Sequence, residues 1–107
     1  MLKLEFIGNV GKDAETKKIN DTSNVIKFSV AVNESYKNKD GEKVENTIWI
    51  ECEMWNREKL GQYLKKGTMV YVEGKPDVNA YIPKDSTEAK GGLVCKVDEI
   101  QFLSKKE

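Results

Sequence analysis

The residues best suited to chemistry in this 107-residue chain lie in one short run, Ile48-Trp49-Ile50-Glu51-Cys52-Glu53-Met54-Trp55. Read as a strand with a period of two, it puts Ile48, Ile50, Cys52 and Met54 on one face and Trp49, Glu51, Glu53 and Trp55 on the other. Two indoles on a polar face form a platform for flat rings, whereas a tryptophan without such neighbours more often covers a core or a subunit contact. Glu51 and Glu53 invite a reading as a catalytic pair, but they share an open strand face with no nucleophile or metal motif beside them. The chain has no histidine, and its two cysteines, Cys52 and Cys95, are too few for a zinc site with the usual four ligands. It also lacks a glycine-rich phosphate loop and a nucleophile elbow, so no enzyme activity, metal or cofactor is expected. Both cysteines alternate with polar residues as small core hydrophobes do, and they are expected as buried free thiols.

The cations suit a polyanion more than a base edge. Lys and Arg together number 18, and Arg57 is the one arginine among them. Lysine is a flexible point charge fitted to phosphates, not a planar fork. Lys12, Lys17, Lys27, Lys37, Lys39, Lys43, Lys59, Lys75 and Lys84 fall on or near the tryptophan face and the arms beside it, with about half of them expected to follow a phosphate backbone and the rest only solvated. Glu51 and Glu53 oppose such a backbone unless lysines on a neighbouring strand balance them. Asp and Glu also number 18, so the net charge is zero. That balance excludes a uniformly basic binder and requires any such face to be made by arrangement.

The elements that must position these residues are short alternating stretches broken by Gly, Asn and Asp. Leu2, Leu4 and Phe6 open a first strand, and Gly8-Asn9-Val10-Gly11 permits a sharp bend that carries it across two sheets. Ile26, Phe28, Val30 and Val32 alternate in a second strand, and Asp40-Gly41 predicts a tight two-residue turn into the third. Asn56 is placed to cap a helix of about two to three turns, with Leu60 and Leu64 on one side and Gly67 past its end. Val70 and Val72 mark a fourth strand, Lys75 to Gly92 reads as a polar arm, and Leu93 to Leu103 as the last strand. The order β-β-β-α-β-β predicts an all-β OB-fold, a five-stranded Greek-key barrel with one short helix between strands three and four, whose second and third strands form the binding face.

With these residues in place, the chain resembles the bacterial single-stranded DNA-binding protein family from about Leu2 to Phe102. Phe6-Ile7-Gly8-Asn9-Val10-Gly11-Lys12-Asp13-Ala14-Glu15 is similar to that family's Gly-Asn and Gly-x-Asp signature. Val30-Ala31-Val32-Asn33-Glu34-Ser35-Tyr36 matches its second-strand end, and Tyr63-Leu64-Lys65-Lys66-Gly67-Thr68-Met69-Val70-Tyr71-Val72-Glu73-Gly74 its most recognisable stretch. The resemblance implies base stacking on Tyr36, Trp49, Trp55 and Tyr81, and hence binding to single-stranded DNA, with RNA open, during replication, recombination and repair. It implies a homotetramer, with a dimer open, in which the first strand and the Tyr71 region make contacts. Asp77-Val78-Asn79-Ala80-Tyr81 is poorer in basic residues than the family's arm, so a milder salt dependence is expected.

A single domain over residues 1–104 is expected, with 105–107 a short polar end. The chain stops at Ser104-Lys105-Lys106-Glu107 without the family's acidic tip, so tail-mediated recruitment of repair enzymes is not expected of it. No apolar run approaches the ~18 residues of a membrane span, and no signal-peptide core follows Met1, which predicts a cytoplasmic, nucleoid-associated protein. Two rival readings are a primosome- or phage-type OB module and an OB domain whose aromatic face docks a protein partner. In the latter, changing Trp49 would disrupt a complex and leave DNA behaviour unchanged.

Overall fold

The computed structural model describes residues 1–82, 84, 85, 87, 88 and 90–103, excluding the side chains of Tyr81 and Lys90. Residues 104–107, expected to hold the domain boundary and the polar end, lie outside the described residues. Six strands, β1 (Leu4–Val10), β2 (Glu15–Lys18), β3 (Asn24–Lys37), β4 (Lys43–Trp55), β5 (Met69–Tyr81) and β6 (Lys90–Phe102), form one sheet in the order β1-β5-β6-β4-β3-β2. Pairing of Asn9 and Val10 with Ala31 and Val30 joins β1 to β3 and closes the sheet. β1 and β2 are the two halves of the expected bent first strand, both antiparallel to β3, so the closed barrel has five strands. β4 and β6 run parallel, and the other pairings are antiparallel.

Alternation fills the barrel as read from the sequence. Ile26, Phe28 and Val30 from β3, Ile50, Cys52 and Met54 from β4, and Val70 and Val72 from β5 are all buried. Cys52 and Cys95 are free, buried and opposite each other in the β4–β6 register. Gly8 lets β1 cross close to β3, because a Cβ there would run into the Ala31 carbonyl oxygen and Val30.

Four local expectations are corrected. The helical segment is a 3₁₀ helix, Glu58–Tyr63, without a side-chain cap. Gly61 lowers helix propensity there, yet a Cβ on it would sit 2.9 Å from Thr16 Oγ1, so packing on β2 decides the residue. Leu64, at its end, is fully buried and plugs the barrel. Asn56 does not cap this helix; at φ 58° it turns back, and its Oδ1 accepts the backbone N–H of Asn24 at 3.1 Å.

The β3–β4 loop is wider than a two-residue turn, because Lys37 still pairs with Lys43 and the loop runs from Asn38 to Glu42. Gly41 alone takes positive φ there, and Asn38 Oδ1 accepts the N–H groups of Asp40 and Glu42, both at 3.0 Å. The polar arm from Lys75 onward is a hairpin, its ladder continuing to Tyr81 opposite Lys90 past a bulge at Glu73/Gly74. Pro76 lies beyond Gly74, where β1 stops pairing and one edge of β5 is free, a place that tolerates a residue with no N–H. No helix among the described residues is long and apolar enough to cross a membrane.

Candidate nucleic-acid interface

Trp49 and Trp55 stand on the outer face of β4, 56% and 47% exposed, while Ile50, Cys52 and Met54 between them face the core. Six residue steps of strand separate the indoles, roughly 20 Å at the usual rise. The pairing register supplies their surroundings. Asn9, Ala31 and Trp49 line up across β1, β3 and β4. One step along, Ser29, Glu51, Val94 and Asp77 form a row across β3, β4, β6 and β5. The next row is Glu15, Lys27, Glu53, Lys96 and Lys75, and the last is Lys17, Val25 and Trp55.

Glu53 therefore meets the condition set for it, with lysines opposite on both neighbouring strands, whereas Glu51 has only Ser29 and Val94. Lys17, Lys27 and Lys75 fall in these rows, together with Lys96, which sequence reasoning missed. Its membership depends on the parallel β4–β6 pairing, which leaves no local signal in the chain.

Gly11 leaves room for the Trp49 ring. A Cβ on Gly11 would lie 2.5 Å from Trp49 Cζ3 and 3.1 Å from Cη2, so the indole edge occupies the space a side chain would need. On the other side the β4–β6 pairing ends at Ile50 and Leu93, and beyond it the two hairpin arms splay apart. A cleft of about 580 Å³ opens between them, lined by Thr47, Ile48, Trp49, Val78, Asn79, Gly91, Gly92 and Leu93. None of these eight carries a charge, and Trp49 borders the cleft.

The other predicted residues are more scattered. Tyr36 is 58% exposed near the β3–β4 tip, where its partner Val44 puts it on the opposite ribbon face from Trp49 by strict alternation. Lys37, Lys39 and Lys43 cluster at that tip, with Lys43 3.6 Å from Glu45. Lys12 follows Gly11 in the β1–β2 connection, Lys59 lies on the 3₁₀ helix and Lys84 in the β5–β6 turn, all exposed and outside the four rows. Tyr81 ends β5 opposite Lys90, and its side chain lies outside the described residues.

The motif residues Asn9 and Asp13 act as fasteners. Asn9 Nδ2 donates to the Gly67 carbonyl at 3.2 Å, and Asp13 Oδ1 accepts the Lys66 N–H at 2.9 Å, binding the β1–β2 connection to the loop after the helix.

A second surface lies on the outer side of β1, β5 and β6, where Glu5, Glu73 and Glu99 share a row and Ile7, Tyr71 and Gln101 the next. The Tyr71 hydroxyl sits 2.6 Å from Glu5 Oε2 and 3.0 Å from Glu73 Oε1, and Lys3 Nζ is 2.9 Å from Glu73. The bond to Glu5, then desolvation, then the bond to Glu73 push the phenol well above its ordinary range. Lys3, and then the Tyr71 hydroxyl, hold the Glu73 carboxyl below the usual range.

The single-strand binding protein family model matches residues 1–103. The single-stranded DNA-binding protein of Neisseria meningitidis serogroup A is 39% identical over 88 residues, covering 80% of this chain and 51% of that protein. The mitochondrial single-stranded DNA-binding protein of Danio rerio is 31% identical over 111 residues, 95% of this chain and 75% of that one. The chain thus spans about half the length of the Neisseria relatives it matches. Among solved structures, a Plasmodium falciparum SSB complex with ssDNA superposes with a TM-score of 0.79 at 26% identity, covering 97% of this chain and 96% of that one. The small single-stranded DNA-binding protein from Streptomyces coelicolor gives a TM-score of 0.75 at 14% identity over 94% of this chain and 93% of that one, a likeness of fold alone.

Proposed function

The chain belongs to the single-strand binding protein family, and on that premise we propose that it coats single-stranded DNA without requiring a defined sequence. The observation that carries this reading is the pair of exposed indoles on an outer sheet face whose inner side already fills the core. Every base has a π-face, so stacking on Trp49 and Trp55 gains roughly 1 to 3 kcal/mol per base whatever the sequence. Tyr36, on the other face of the β3–β4 ribbon, adds a contact only for a strand that wraps round that arm. Lys17, Lys27, Lys75 and Lys96 neutralise phosphates, with the lysines at the β3–β4 tip as a second cluster. Duplex is refused because its bases are already stacked and paired. Holding the strand open and protected serves replication, recombination and repair in the cytoplasm, by binding and not by turnover.

The protein works as a homo-oligomer, and two features support this. From Leu4 to Gly8, β1 pairs only with β5, leaving an open strand edge beside the exposed Leu2 and Ile7. The Tyr71 surface next to it holds a concavity of about 450 Å³ lined by Ile7, Tyr71, Glu73, Glu99, Gln101 and Leu103. Both are places where a second copy can dock, as a dimer or a tetramer.

A tryptophan-fluorescence titration with a dT oligomer, a matched duplex and an RNA oligomer at several salt concentrations tests the reading. Quenching by single strands alone is expected, with log affinity falling against log salt at a slope of about −0.7 per neutralised phosphate. No quenching at low ionic strength would refute it and turn the aromatic face toward a protein partner.

A further inference from the structure

Two carboxylates in the rows of the tryptophan face, Glu51 and Asp77, have no cation opposite them, and Glu51 is the one beside an indole. Glu51 follows Trp49 by two residues on the same side of β4, about 7 Å along the strand, between Ser29 and Val94. Its neighbour Glu53 is flanked by Lys27 and Lys96, so that charge is locally balanced. Asp77 completes the Glu51 row beyond Val94, but its Oδ1 already accepts the Val78 N–H at 2.9 Å. Glu51 is exposed, its nearest lysines, Lys27 and Lys96, stand one row along, and its carboxylate repels a phosphate that comes close.

The same group can read a base. An ionised carboxylate only accepts hydrogen bonds. Cytosine presents its N4 amine where thymine presents the O4 carbonyl, a donor against an acceptor. A ring stacked on the exposed Trp49 has its edge within reach of a flexible side chain two residues along the strand. Cytosine can then donate to Glu51, whereas thymine sets oxygen against oxygen. Resting on the single-strand reading above, we infer that Glu51 biases the Trp49 subsite toward bases that present an amine, cytosine above all, and against thymine. The bias is about fivefold, the lower end of what one side-chain contact to a base edge contributes, because the site is open to water.

Titrations of the whole chain with dC and dT oligomers of equal length, at one salt concentration, test this. The two oligomers carry the same phosphates, and differences in stacking and flexibility between them are common to every variant, so the change in their affinity ratio on substitution reports the base edge. Glu51→Gln replaces an acceptor by an amide that also donates, and the dC-to-dT affinity ratio falls about fivefold while both affinities rise. Asp77→Asn removes a charge from the same row two strands away; it raises both affinities and leaves the ratio at its original value. A ratio unmoved by both Glu51→Gln and Glu51→Ala, with binding intact, overturns the assignment, as does an equal shift with Asp77→Asn. No quenching by either oligomer with the unsubstituted chain overturns the single-strand reading itself, and this inference with it.

Discussion

Gly11→Ala tests whether empty space beside an indole is part of the binding site. The new methyl carbon would lie 2.5 Å from Trp49 Cζ3, well inside the ~3.5 Å at which carbon atoms rest in contact. Gly11 does not adopt positive φ, so alanine suits the backbone and the conflict is with the ring alone. Because Trp49 is more than half exposed, the indole can swing aside at little cost to folding. Loss of chain freedom in the unfolded state favours alanine by about 0.4 to 1 kcal/mol, offsetting the lost contact and leaving the melting temperature nearly unchanged. The displaced ring no longer lies flat where a base would meet it, and up to the full stacking energy of about 1 to 3 kcal/mol is forfeited. That corresponds to a loss of about 5- to 150-fold in affinity. Titration with a dT oligomer should show at least the fivefold loss, and Gly11→Ala should cost little further in a Trp49→Ala background. Unchanged binding by Gly11→Ala, or losses that simply add in the double variant, would refute the reasoning.

Lys96→Gln should reduce the magnitude of the salt slope for dT binding by about 0.7, as one phosphate contact goes, whereas Lys59→Gln on the 3₁₀ helix should leave the slope as it is. Cys52 and Cys95 should resist alkylation at pH 8 in the native protein and react once it is unfolded, because burial pushes the Cys95 thiol to about 11 and Cys52 higher still. Rapid labelling of the native chain would contradict their place in the barrel. Glu73 titrates below its unfolded value, so its contribution to stability is present above the ordinary carboxylate range and is lost as pH falls through the folded value. Thermal melts should therefore show the chain more stable than Glu73→Gln at neutral pH, with the gap closing on acidification; a gap that widens toward acid would reverse the sign.

Much of the site was legible because strand alternation is local. The side of β4 on which the tryptophans lie and the burial of both cysteines follow from a period of two. Where contact overrides local preference, the sequence misled. Asn56 has the composition of a helix cap, yet it turns back to pair with Asn24, 32 residues earlier. The stretch after Lys75 lacks an apolar stripe and reads only as a polar arm, but hydrogen bonding to β6 makes it a strand regardless of side-chain type. Asp40-Gly41 matches a two-residue turn, and the Asn38 side chain stabilises a wider one.

By itself the sequence determined the barrel class, the family and the face that carries Trp49 and Trp55, since each depends on residue types at fixed short spacing. The neighbours of that face were decided only by the tertiary structure. Lys96 beside Glu53, Gly11 against the indole of Trp49, the uncharged cleft between the arms and the lack of a lysine opposite Glu51 all depend on register between strands distant in the chain. That register is set by how the barrel closes and where β4 and β6 meet in parallel, long-range pairings that no local pattern encodes.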